Sequence, residues 1–165
     1  MLLLHLLRLV LLRSTLMDKK LVLFACVENA CRSLMAEAIF NADPPPGWRA
    51  TSAGTRPATA PDPRTKVMLE ERGFSLPEHA PQFLSKELMD SARVRITMGC
   101  LDDASCPAHL KTLDLRDWAL PDPAQLDDAE FRVVRDQIRI RIDGLRRELS
   151  LADRREADRT RSSPR

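Results

Sequence analysis

Apolar positions fall into short runs and helical stripes that alternate along the chain. Lys20 to Ala25 (KLVLFA) is a continuous apolar run, the pattern of a strand covered on both faces. Ser33 to Phe40 spaces Met35, Ala36, Ile39 and Phe40 along one side of a helix, and Asp43-Pro-Pro-Pro-Gly47 stops it. Arg49 to Ala53 reads as a second strand ended by Gly54, and Pro57 to Pro63 as a loop. Arg64 to Arg72 predicts a helix packed through Val67 and Leu69, with Gly73 at its C-terminal end. Ser85 to Ser91 predicts a short helix capped by its serine, with Glu87 in the first turn. Arg93 to Met98 alternates up to Gly99 as a third strand, and Thr112 to Leu115 is a short fourth. From Asp127 onward, Phe131, Val134, Ile138, Ile142, Leu145 and Leu149 trace one face of a long helix. Asp127, Asp128 and Glu130 crowd its start and Arg146 and Arg147 its end, as the helix dipole favours. The alternation predicts an α/β fold: a single-domain, open, parallel four-stranded sheet with helices on both faces.

Composition narrows the function without naming it. With 44% hydrophobic and 30% charged residues, the 165-residue chain can bury a core and is not disordered by composition. No apolar run is long enough to span a bilayer. Four cysteines are too few to staple a secreted scaffold, so a cytoplasmic protein with working thiols is expected. Tyrosine is absent, which argues against base-stacking platforms. The net charge of +2 comes from the two ends, which hold seven basic residues against three acids. The remainder is slightly acidic, and neither nucleic acid nor membrane is expected as a partner.

Residues 1–16 (MLLLHLLRLVLLRSTL) are interrupted by His5 and Arg8 and lack a small-residue cleavage site, unlike a signal peptide. Leu4, Leu7, Leu11 and Leu12 share one side, so a surface helix is the alternative. Met17-Asp-Lys-Lys reads as a start, with 1–16 as a leader or upstream extension outside the fold. Residues 17–149 then form the domain, and 150–165 a disordered charged tail.

The chemistry is concentrated after the first strand. Cys26-Val27-Glu28-Asn29-Ala30-Cys31-Arg32-Ser33 joins strand to helix, where backbone N–H groups and a helix N-terminus can cradle an oxyanion. Arg32 would offer a two-pronged fork to the anion, and the same donors would hold Cys26 as a nucleophilic thiolate. Ser33 could donate to that sulfur, and Asn29 tolerates a left-handed backbone turn. Cys31 is read as a buried packing residue. No metal site is expected: Cys100, Cys106 and His109 lack a fourth ligand at suitable spacing.

The string CVENACRS followed by LMAEA resembles the signature loop of the low-molecular-weight protein tyrosine phosphatase superfamily, which includes thiol-dependent arsenate reductases. Thr51-Ser-Ala-Gly-Thr55, the segment from Thr97 through Cys100 to Cys106-Pro107, and Trp118-Ala-Leu-Pro-Asp122-Pro123 resemble further segments of that family. The resemblance spans roughly residues 18–149. It implies Cys26 as nucleophile, Arg32 as oxyanion clamp, residues Val27 to Ser33 as the substrate cradle and Asp122 as general acid. The phosphatase branch carries Asp-Pro-Tyr-Tyr, whereas Asp122-Pro123 continues Ala-Gln here. The reductase branch is therefore favoured, with Cys100 and Cys106 as redox thiols. Thioredoxin-coupled members separate that pair by six residues; here the spacing is five, closer to members that use a low-molecular-weight thiol such as mycothiol. The expected activity is arsenate reduction by a monomer with no bound cofactor. Its partners would be arsenate, with phosphate or sulfate as analogues, and an external thiol or thioredoxin-like reductant. Two alternatives stand beside it, a phosphomonoesterase acting through phosphocysteine and a non-enzymatic oxyanion- or redox-sensing module.

Overall fold

The computed structural model describes residues 19–99 and 115–162. Four parallel strands, β1 (Lys20–Cys26), β2 (Trp48–Gly54), β3 (Val94–Thr97) and β4 (Leu115–Asp117), form one sheet in the order β2-β1-β3-β4. The helices are α1 (Arg32–Ala42), α2 (Pro63–Glu70), α3 (Lys86–Ser91) and α4 (Asp128–Ser162), with a 3₁₀ turn at Pro123–Gln125 before α4. This is the open parallel sheet with helices on both faces that the alternating pattern predicts.

β1 lies between β2 and β3, so both of its faces are covered and its sequence runs apolar without alternation. Its side chains still divide by parity. Val22, Phe24 and Cys26 enter the larger core, with residues from α1, α2 and α4, while Leu21, Leu23 and Ala25 join Leu84, Met89 and Ala92 on the α3 side. Cys26 ends the strand in phase with Val22 and Phe24 and therefore emerges on the face covered by α1.

Local signals locate the helix starts. Asp62 caps α2 by accepting from the Arg64 N–H, and Ser85 caps α3 by accepting from the Leu88 N–H. Before α4, the Asp127 carboxylate accepts from the Glu130 N–H while the Glu130 carboxylate accepts from the Asp127 N–H, a reciprocal box. The long helix buries all six predicted apolar positions, and also Arg135. That arginine donates to the Met68 carbonyl and to Glu71, so a charge on the apolar face is fully partnered. The Arg132 and Arg135 guanidiniums bonded to Glu71 hold its carboxyl down at about 2.

Three expectations need correction. On α2, Val67 is exposed and the helix packs through Met68 and Leu69, because its buried face is the one turned toward α1 and α4. The fourth strand is displaced: β4 pairs Leu115 to Asp117 with Arg95 to Thr97, and residues 112–114 lie outside the described residues. Arg116 and Asp117 belong to a short edge strand, whose polar residues carry no apolar run to read. The stretch after Leu149 is not a disordered tail as far as residue 162; α4 continues through it. Asp153 explains why. Its carboxylate accepts from Lys20 Nζ at 2.6 Å and from Trp48 Nε1 at 2.7 Å, fastening the helix to the first residues of β1 and β2. Glu156 lies 3.6 Å from Lys20 and 3.7 Å from Arg93 and extends the same contact. These partners come from sequence positions more than 60 residues away, so the charged string alone could not announce them.

Burial opposes the ionised form of Asp153, but Lys20 and Trp48 outweigh it and hold the carboxyl below its ordinary 3.8. Asp153→Ala is expected to lower the unfolding free energy by about 1 kcal/mol at neutral pH, measured by urea denaturation. A lowered pKa means that this contribution is present above pH 3.8 and lost as pH falls through the native value. The wild-type and variant midpoints should therefore converge in acid.

Candidate active site

The loop from Cys26 to Ser33 closes between the C-terminal end of β1 and the first turn of α1. Asn29 adopts φ 51° and is fully buried, the left-handed turn expected of it. The N-cap residue of α1, Cys31, makes no side-chain capping hydrogen bond. A helix N-terminus of this kind carries backbone donors and the positive end of the helix dipole, both suited to an anion in the adjoining loop. Gly54 faces the same loop. A Cβ there would lie 2.4 Å from the Val27 carbonyl oxygen and 2.9 Å from the Asn29 nitrogen, so only glycine permits β2 to come this close.

Two donors converge on the Cys26 sulfur. The Asn29 backbone N–H lies 3.1 Å from Sγ, and Ser33 Oγ lies 2.9 Å from it. The direction of the second bond follows from its neighbours. Gln82 N–H donates to Asn29 Oδ1 at 2.9 Å, which fixes the amide orientation, because a backbone N–H can only donate. Asn29 Nδ2 must then supply its two hydrogens to Ser33 Oγ at 2.8 Å and Ser52 Oγ at 2.9 Å. Ser52 in turn donates to the Glu37 carboxylate at 2.6 Å, and Ser33 is left with its own proton to direct at Cys26. Both hydrogen bonds to Sγ therefore favour the thiolate.

Cys31 is different. Burial, with added repulsion from Asp62 and Asp122, pushes its thiol up to about 12 despite a hydrogen bond with Thr65. It stays protonated at neutral pH and serves as packing, as the sequence suggests.

Arg32 is 4% exposed and stretches across the cradle. Its Nη1 donates to the carbonyls of Leu120 at 2.9 Å and Met98 at 3.3 Å, while Nη2 meets Asp122 Oδ2 at 3.1 Å. The guanidinium so joins the anion loop to the segment bearing the candidate acid, which is half exposed and also caps the 3₁₀ turn. Trp118 anchors that segment by packing its ring 5.6 Å from Phe24. The cavity bounded by Cys26, Val27, Glu28, Ala30, Cys31, Arg32 and Asp122 measures about 20 Å³, roughly one water. The Asp122 carboxylate thus occupies one arm of the arginine fork beside this cavity.

The structure brings together Cys26, Asn29, Arg32, Ser33, Ser52 and Asp122. Cys100, Cys106, His109 and residues 1–16 lie outside the described residues. Sequence reasoning missed two participants. His79 donates to Glu37, and Gln82 holds Asn29, Thr51 and the Ser52 carbonyl. Both sit in a proline-rich loop without periodicity, and no local signal points them at Asn29 or Glu37.

Among the described residues, no helix is long and apolar enough to cross a membrane, and no group of three or more His, Cys, Asp or Glu could hold a metal ion.

The chain is similar to known proteins over most of its length. Arsenate reductase 1 of Staphylococcus epidermidis is 30% identical over 127 residues, covering 77% of this chain and 96% of that protein. A solved arsenate reductase in its phosphate-binding state superposes with a TM-score of 0.69 at 29% identity, covering 78% of this chain and 98% of the other. A thioredoxin-dependent arsenate reductase from Corynebacterium glutamicum gives a TM-score of 0.67 at 29% identity, over 82% of this chain and 64% of that one. The sequence pattern of the low molecular weight phosphotyrosine protein phosphatase family matches residues 21–155, nearly the whole of the sheet and its helices, and the chain belongs to that family.

Proposed function

We propose that the protein is an arsenate reductase whose nucleophile is Cys26. The observation that carries the reading is the pair of donors on Sγ, Asn29 N–H and Ser33 O–H, at an uncapped helix N-terminus beside the Arg32 fork. These are the requirements for a thiolate that attacks a tetrahedral oxyanion. Reductase chemistry is favoured over phosphoester hydrolysis by the arsenate reductases similar to this chain and by an acid loop without tyrosine.

Cys26 would attack arsenic, forming an S–As bond as one arsenate oxygen leaves as water with the proton supplied by Asp122. A second thiolate, from Cys100 or Cys106, would then attack the Cys26 sulfur. As that S–S bond forms, the electron pair of the S–As bond passes to arsenic, arsenic(V) becomes arsenic(III), and arsenite departs. Two external thiols, both from one thioredoxin-like dithiol or from two molecules of a small thiol such as mycothiol, would reduce the disulfide through a mixed disulfide and leave joined as a disulfide themselves. Arg32 and the loop from Val27 to Ser33 would hold the anion throughout.

The test is to treat the reduced protein with arsenate, quench by alkylation under denaturing conditions and map disulfides by mass spectrometry. A bond joining Cys26, Cys100 or Cys106 is expected. If every thiol is alkylated while the protein turns over an aryl phosphate, the hydrolytic alternative takes its place. Under native conditions near pH 7, Cys26 should alkylate and Cys31 should not, because Cys31 ionises only at about 12. Cys26→Ser should abolish arsenate turnover. Asp122→Asn should slow it about 100- to 10,000-fold while tightening phosphate binding, since Arg32 loses the carboxylate that competes for its fork. Equilibrium phosphate binding and steady-state rates measured together check both halves.

A further inference from the structure

Two residues bounding the oxyanion cavity carry carboxyl groups, and the chemistry above uses only one of them. Asp122 is paired with Arg32 and accepts from the Ala124 N–H. Glu28, two residues beyond the nucleophile, lines the same cavity and is exposed, so it stands at the cavity's mouth. Among the described residues its carboxylate has no hydrogen-bond or ion-pair partner. The backbone holds it there. The Ala58 N–H donates to the Glu28 carbonyl and the Arg56 N–H to the Val27 carbonyl, each at 2.9 Å, and Asn29 follows at φ 51°. A fixed, unpartnered acceptor therefore adjoins the place where an anion enters.

Arg32 is the one cationic residue bounding the cavity, beside Cys26 and the two carboxyls. Such a site does not treat all tetrahedral anions alike. Guanidinium and backbone N–H groups only donate, and they suit bare anion oxygens. A carboxylate only accepts, so an anion oxygen that meets Glu28 must bring a proton with it. Arsenate and phosphate near neutral pH carry at least one hydroxyl. Sulfate has the same shape and carries none, and neither does the dianion of a phosphate monoester.

We propose that Glu28 is a specificity-determining residue whose carboxylate accepts a hydrogen bond from the hydroxyl of a protonated, unesterified oxyanion and rejects tetrahedral anions without one. The inference rests on the loop from Cys26 to Ser33 being the oxyanion site, and it deepens that reading by naming the form of substrate bound: hydrogen arsenate, with hydrogen phosphate as its analogue. It also gives the two carboxyls opposite duties. Asp122 supplies a proton to the departing oxygen, whereas Glu28 receives a hydrogen bond and transfers nothing. Against sulfate, Glu28 would face a bare oxygen, two negatively charged acceptors with no hydrogen between them. A site built to bond a hydroxyl discriminates by leaving its own group unpaired when the wrong ligand enters.

The experiment reads occupancy of the loop as protection of Cys26 from iodoacetamide, resolved from the other cysteines by peptide mass spectrometry. Reduced protein is titrated with inorganic phosphate or with sulfate at constant ionic strength and mildly alkaline pH, where both anions are dianions and only phosphate carries a proton. Wild type should be protected by phosphate at concentrations about ten-fold below those of sulfate, the scale of one hydrogen bond to a charged group. In Glu28→Gln the amide can donate to a bare oxygen, so sulfate should gain on phosphate and the ratio of the two protection constants should shift about ten-fold. Equal charge on the two anions makes that ratio a measure of hydrogen bonding: removing a negative charge alone would tighten both together. A ratio unchanged in Glu28→Gln overturns the proposal. So does a wild-type protein protected equally by both anions, a result that needs no variant. Failure of the underlying reading looks different, because then neither anion would protect Cys26 at any concentration, and the proposal would fall with it.

Discussion

The site depends on the orientation of one buried amide. Asn29 sits at φ 51° inside the loop, and the Gln82 N–H pins its side-chain oxygen. That single bond decides which atoms of the amide meet Ser33 and Ser52, and so which way each hydroxyl proton points. Turned over, the same side chain would present an acceptor to the two serines, and Ser33 could satisfy it by turning its proton away from Cys26. Where these groups are buried, an unpaired polar group costs on the order of 1–3 kcal/mol, and the chain has little freedom to rearrange piecemeal. The thiolate is therefore favoured by an arrangement spanning α1, β2 and the loop at residues 79–82, and not by the Cys26 neighbourhood alone.

Arg32 organises the other half of the site. Its guanidinium bonds two carbonyls and one carboxylate of the opposite wall, so a residue suited to clamp an oxyanion is also the strut that draws Asp122 over Cys26. The two uses exclude each other only at Asp122. The Leu120 and Met98 carbonyls hold Nη1, so the position of Arg32 does not depend on Asp122 alone. Gly99 makes this wall possible: at φ +80° it passes Ala119 so closely that a Cβ would lie 2.5 Å from the Ala119 Cα.

The sheet supplies the fixed frame. β1 is paired on both sides, its parity delivers Cys26 to the α1 face, and Gly54 lets β2 lie against the loop. On the far side, α4 crosses the larger core and is tied to the starts of β1 and β2 through Asp153, remote from the chemistry.

Much of this was written locally. The apolar run of β1, the stripe of α4 and the caps at Asp62, Ser85 and Asp127 are near-neighbour patterns, readable because strand and helix periods are set by backbone geometry. The loop from Cys26 to Ser33 was legible for a related reason: cysteine, asparagine, arginine and serine at fixed spacing between a strand and a helix leave few chemistries open. Other features required the third dimension. His79 and Gln82 lie 53 residues or more from Cys26, in a segment with no periodicity, and only chain closure carries them to Glu37 and Asn29. Arg135 on an apolar stripe and Asp153 in a charged string likewise acquired their roles from distant partners. Sequence spacing determined which groups could act at the loop; tertiary packing decided where their protons point, because hydrogen-bond direction depends on every acceptor in the chain at once.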